Sequence, residues 1–200
     1  YHSLLKSSQF SRVGSRYVVA VGPFEALAQK KWLASKGKSE MLMGKAQRDW
    51  FLKTIHDSSA TFKIWASEIC FMPRHIDLTG VTLAPPELQT RISISAEDWD
   101  GFPNERRALL KELSAAGNVL ILSGDLHCFF AGTPFLESDE ATRVVELTTG
   151  SATSTTWLDS IQGALTEGSS TPPGVMLLVQ SIGSLLADKM AKPNPHLAYQ

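Results

Sequence analysis

Val119-Leu120-Ile121-Leu122-Ser123-Gly124-Asp125-Leu126-His127 is the stretch on which the reading of this chain turns. Its first four residues are a continuous apolar run, which predicts a fully buried strand. The first ionisable side chains then arrive at the strand's carboxyl end, where open α/β sheets usually build their sites. In extended backbone, residues two apart project to the same side, so Asp125 and His127 are expected to converge while Leu126 turns into the core. A carboxylate and an imidazole together suit zinc, manganese or iron, and Gly124 allows close approach of backbone or substrate. The plainer alternative has Asp125 capping a turn and His127 bonded to a loop carbonyl. Two side chains do not complete a metal site in any case, since such ions take about four to six ligands.

Upstream, Pro103 stands near the first position of a helix predicted to run to about Ala116. Leu109, Leu110 and Leu113 face inward, and Gly117 is its C-terminal cap. Further back, Arg16 to Val21 reads as a buried strand ended by Gly22-Pro23, and Glu25 to Ser35 as a helix stopped by Gly37. From Gly44, residues Ala46, Trp50, Phe51 and Ile55 share one face of an amphipathic helix. Thr61 to Ala66 has strand composition, Met72 to Gln89 reads as a long proline-punctuated loop, and Arg143 to Thr148 as another strand. Gly150 to Thr156 is a small-residue loop, Gly168 to Gly174 is the most linker-like stretch, and Val175 to Met190 contains helix. Alternating strands and helices predict an α/β (α+β) fold, sheets flanked by helices, in one domain.

Composition narrows the function. Apolar residues make up 43% and charged residues 20% of the 200, close to ordinary globular averages. A net charge of -1 with no basic cluster removes the electrostatic footprint of a nucleic-acid or acidic-membrane binder. Cys70 and Cys128 are too few for a disulfide framework, and Val175 to Val179 is far short of the roughly 20 apolar residues of a membrane span. A small molecule is the expected partner. The chain starts at Tyr1 without a methionine and stops at Gln200 after Pro193-Asn194-Pro195, so it is expected to be truncated at both ends.

A second constellation is Asp98-Trp99-Asp100-Gly101-Phe102-Pro103-Asn104-Glu105-Arg106, a loop that opens a helix with acids, aromatics and arginine crowded together. Asp100 could cap the helix while Trp99 and Phe102 bury area. Alternatively the loop lies beside the metal site, where Arg106 would grip phosphate oxygens bidentately. His75, just after Arg74, is a candidate substrate contact; His2, His56 and His196 carry no such suggestion.

Four segments occur in one order: Met43 to Phe51, Ser59 to Trp65, Asp98 to Arg106 and Leu122 to His127. Together they resemble the alkaline phosphatase D family, whose members read Leu-Gly-x-x-Gln-x-x-Trp, Ala-Thr-Trp-Lys, Asp-x-Trp-Asp-Gly-Tyr-Pro-x-x-Arg and a strand ending Thr-Gly-Asp-x-His. The similarity covers roughly Leu42 to Thr156, and Asn194-Pro195-His196 is similar to the stretch before a late His-Gly-Tyr segment of that family. The resemblance implies a calcineurin-like metallophosphoesterase, a four-layer sandwich of two mixed sheets flanked by helices, of which residues 1–200 form the C-terminal part. It implies hydrolysis of phosphomonoesters or phosphodiesters by a metal cluster of iron with calcium, and export from the cytoplasm to the periplasm or beyond by the twin-arginine route. Asp125 and His127 match the metal motif. Asp98, Trp99, Asp100 and Arg106 match the family loop and are taken, with His75, as substrate-binding; the catalytic acid is unassigned.

Departures accompany the match. Phe62 and Phe102 stand where the family has tryptophan and tyrosine, and Val21-Gly22-Pro23-Phe24-Glu25 replaces a Leu-Asp-x-Arg. The family's remaining ligand motifs, Gly-Asp-x-x-Tyr and Asn-Asp-His, do not occur here. A non-catalytic binding or scaffold module that keeps the fold is therefore the rival reading. A serine hydrolase built on Ser123 is a weaker one, because the Gly-x-Ser-x-Gly elbow is missing.

Overall fold

The computed structural model describes residues 10–13, 16–82, 86, 89–93, 95–134, 144–150, 152–156, 159, 189–190, 193–195 and 197–199. The linker-like stretch 168–174 and all but the last two residues of the helix expected at 175–190 lie outside them. Two sheets flanked by helices form the fold.

The larger sheet is built around β6 (Val119–Ser123). β3 (Lys63–Ala66) pairs parallel to it on one side and β8 (Val144–Thr148) parallel on the other. β7 (Phe130–Gly132) and β9 (Leu197–Tyr199) continue the sheet antiparallel, giving the order β3-β6-β8-β7-β9. The smaller sheet, in the order β1-β2-β5-β4, joins β1 (Phe10–Val13), β2 (Arg16–Ala20), β5 (Arg91–Ser93) and β4 (His75–Asp77). Two mixed sheets were expected; the larger is mixed and the smaller is antiparallel in every described pair.

Among the described residues, the sheets are accompanied by α1 (Val21–Ala34), α2 (Lys45–Asp57) and α3 (Pro103–Ala116). The last has the expected ends, with Pro103 in the first turn and Gly117 at φ 68° closing it. Leu109, Leu110 and Leu113 are buried against Phe51 and Ile55 of α2 and against Trp65, Val119, Ile121 and Val144 of the sheet. Each such leucine contributes about 1.5–3 kcal/mol by leaving water. Four aromatic rings hold this core together: Trp99 lies 6.0 Å from Trp65 and 5.2 Å from Phe71, and Trp65 lies 4.8 Å from Phe51. A second cluster joins Val18, Ile76 and Ile92 of the small sheet to Cys70, Met72 and Phe130.

Several elements depart from expectation for identifiable reasons. The strand at Arg16 ends at Ala20, and α1 begins at once, since Gly22 and Pro23 fall in a first turn whose N–H groups have no helical partner anyway. On α2 the inward face is Phe51 and Ile55, whereas Trp50, turned about 100° away, is 66% exposed. The loop expected from Met72 contains β4, a three-residue strand hydrogen-bonded to β5. Finally, β6 is not buried on both faces. Val119, Ile121 and Ser123 point into the core, while Leu122 is 41% exposed and shares its face with the exposed Ile64, Val145 and Leu147.

Candidate metal centre

Ser123, buried at the end of β6, is the root of the acid-histidine loop. Its hydroxyl donates to Glu146 Oε1 at 2.6 Å, and its carbonyl accepts from the Thr149 N–H at 2.9 Å. Beyond it the backbone leaves the extended region: Asp125 has φ 57° and His127 φ 60°. Two left-handed non-glycine residues two apart are uncommon and costly. The expected convergence of Asp125 and His127 through strand geometry is therefore corrected; what the two share is a sharply turned loop. Leu126 does pack against the second cluster, as expected. Within the described residues the nearest neighbour of a Cβ built on Gly124 is the Thr149 carbonyl, an ordinary contact at 3.8 Å.

Asp125 is exposed. His127 Nδ1 lies 2.7 Å from the Thr155 carbonyl and 2.8 Å from the Ser154 hydroxyl. A carbonyl oxygen only accepts, so Nδ1 carries the ring proton and Nε2, 3.5 Å from the Ser154 hydroxyl, carries the lone pair. The loop-carbonyl bond of the plainer reading is thus present. It is also the arrangement in which a metal-binding imidazole is commonly held, its second nitrogen donating to a carbonyl or carboxylate. The donor set of one carboxylate and one oriented imidazole fits a first-row metal in kind and falls short in number. Among the described residues no group of three or more His, Cys, Asp or Glu side chains converges to hold an ion.

The second constellation lies inside the protein. Arg74 is 1% exposed and its Nη2 donates to Asp98; Arg106 is 7% exposed and its Nη1 donates to Asp100. Asp100 also accepts from the Ser93 hydroxyl at 3.0 Å and from the Arg74 N–H at 3.2 Å, and Asp98 accepts from the Asp100 N–H at 2.9 Å. Burial pushes the Asp98 carboxyl up against the pull of Arg74. Burial acts on Asp100 too, but there Arg106, His75 and Arg74 outweigh it and hold the carboxyl below its usual range. Gly101 closes the turn because nothing larger fits: a Cβ would sit 1.9 Å from the Ala96 carbonyl oxygen.

The structure places Asp98, Trp99, Asp100 and Arg106, expected as substrate-binding residues, below the surface of the described chain, bonded to one another or packed in the core. Two acids and two arginines neutralise one another below the surface, and Trp99, at 2% exposure, belongs to the aromatic core. His75 is also buried, with its N–H donating to Asn194 Oδ1 at 2.8 Å.

Glu146 is the residue the sequence reading missed. It is 0% exposed on β8, and its carboxylate accepts from the Phe71 and Met72 N–H groups at 2.7 and 2.6 Å as well as from Ser123. Burial pushes its pKa up, and these three donors pull against that. A charged residue in the middle of an apolar strand was the available signal.

A mixed α/β sheet with an acid and an oriented histidine at the carboxyl end of β6, one of its parallel strands, defines the architectural class. Comparison with known proteins then gives the family. The family model for PhoD-like phosphatase matches residues 14–199, and the chain belongs to that family. It is similar to alkaline phosphatase D of Bacillus subtilis (strain 168), with 26% identity over 99 residues, 48% of this chain and 15% of that protein. A solved structure, that of PhoD, superimposes with a TM-score of 0.51 over 79% of this chain and 25% of the solved one, at 21% identity, a likeness of fold. The chain thus spans a small part of the length of these relatives.

Proposed function

We propose that this chain is the C-terminal part of a metal-dependent phosphatase domain, and that the complete protein hydrolyses phosphomonoesters or phosphodiesters. The observation that carries the reading is His127, whose Nδ1–H is held by the Thr155 carbonyl, in the same turned loop as the exposed Asp125 at the carboxyl end of β6. Family membership over residues 14–199 supports the reaction class. The exposed apolar face of β3, β6 and β8 supports the domain assignment, because parallel strands are ordinarily covered on both faces.

Asp125 and His127 would hold metal, iron with calcium by resemblance to the family, and the remaining ligands would come from the rest of the domain. Bound there, such ions lower the pKa of water towards neutrality and offset phosphoryl charge during in-line attack. This chain's own contribution is positional. Thr155 and Ser154 fix the imidazole, and the neutralised Arg74-Asp98-Asp100-Arg106 knot ties the start of α3 to the segment before β4. By the same resemblance we place the complete protein in the periplasm or outside the cell.

The test is hydrolysis of a chromogenic phosphodiester by the complete protein, wild type beside His127→Ala. We expect the variant to lose at least about a hundredfold in kcat/KM, or about 2.7 kcal/mol of transition-state stabilisation. Equal rates would refute the assignment. One observation favours a second reading, a scaffold module without metal: the span where relatives are expected to carry Leu-Asp-x-Arg is here the first turn of α1. Full metal content in the purified protein would exclude it.

A further inference from the structure

We propose that Glu146 is a positioning residue for the Gly124–His127 loop, acting through Ser123; this rests on the metal-centre reading above. A carboxylate with no exposure and, among the described residues, no arginine partner, in the centre of a sheet, is costly unless donors surround it. Three neutral donors do so here, at 2.6 to 2.7 Å. A leucine at this strand position would bury without such a requirement, so the acid calls for a reason beyond packing.

The reason lies in what Glu146 joins. Ser123 immediately precedes the loop, and its hydroxyl reaches both Glu146 at 2.6 Å and Thr148 Oγ1 at 2.8 Å. The loop then turns through two left-handed residues, Asp125 and His127, a conformation that persists only when its ends are fixed. Glu146 also sits on the strand that leads, through Thr149, to the loop bearing the Thr155 carbonyl that holds the His127 ring. Glu146 therefore holds Ser123, and Ser123 in turn joins the roots of both loops, through its hydroxyl to Thr148 and its carbonyl to the Thr149 N–H. Its other oxygen fixes the Met72 N–H and shares in pinning the Phe71–His75 segment, where Asp100 and Asn194 take the N–H groups of Arg74 and His75. A purely structural staple would serve only that second task.

The two tasks separate experimentally. In the complete protein, Ser123→Ala cuts the link to the loop and leaves the Phe71 and Met72 bonds in place; Glu146→Gln disturbs both at constant volume. Iron and calcium retained after dialysis against a chelator, and kcat/KM for the chromogenic phosphodiester, are measured for each variant, for the double variant and for His127→Ala. We expect each single change to weaken metal retention about 10- to 100-fold, as loss of a supporting hydrogen bond behind a ligand does. The double variant should lose no more than the worse single one, because both act on one link. Wild-type metal retention in Ser123→Ala, or losses that multiply in the double variant, would overturn the proposal, and the serine variant decides alone should Glu146→Gln fail to fold. Should His127→Ala itself keep its metal, the metal-centre reading fails instead.

Discussion

Asp100 and Asp125 are both aspartates in loops flanked by glycine, yet their situations are opposite. Asp100, 4% exposed, accepts from Arg106, Ser93 and the Arg74 backbone, so its charge is spent inside the protein. Asp125 is exposed in a strained turn beside an imidazole that a backbone carbonyl has oriented. The same side chain thus serves as framework in one region and, in the function proposed above, as a ligand donor in the other. What separates them is whether neighbours have already neutralised and desolvated the charge.

Breaking the buried side of this contrast has the largest expected effect. Asp100→Ala leaves Arg106 and the Arg74 N–H without their acceptor and should cost about 3–5 kcal/mol in chemical denaturation of this chain. A loss under 1 kcal/mol would mean that the knot is solvated and open to ligands after all. Gly101→Ala should follow at about 1–3 kcal/mol, because the added methyl meets the Ala96 carbonyl and backbone must move.

On the exposed side, Asp125→Ala and His127→Ala should each change stability by no more than about 0.5 kcal/mol. A large loss in either would make the loop a structural element. The smallest effect is in pH dependence. Because Asp100 is held below the usual carboxylate range, its contribution is complete above its unfolded pKa of about 3.9 and is lost as pH falls through the folded value. Asp100→Asn should therefore flatten the acid limb of the stability curve below about pH 4, and an unchanged limb would show that Asp100 is not the group responsible.

The parts legible in sequence were those with strong local signals. α3 and β6 follow from apolar spacing and from Pro103 and Gly117 at the helix ends. The three-residue strands β4, β5, β7 and β9 were not legible, since pairing at long range, and not local composition, creates them. The strand holding Glu146 was read correctly as a strand, but its register was hidden, because Val145 and Leu147 face outward and the polar Glu146 and Thr148 face in. For the site, the crowding of Asp98 to Arg106 marked an important loop without saying whether its charges face ligand or one another. Burial decides that. At Asp125 and His127 the residue types were legible, and the left-handed turn that presents them was not.

The most direct test is the metal content of the complete protein carrying Asp125→Ala and His127→Ala together, measured by elemental mass spectrometry beside wild type and Asp98→Asn. The account predicts that the loop variant folds and loses bound metal, while the buried-acid variant loses stability and keeps metal in its folded fraction. Wild-type metal content in the loop variant would contradict it.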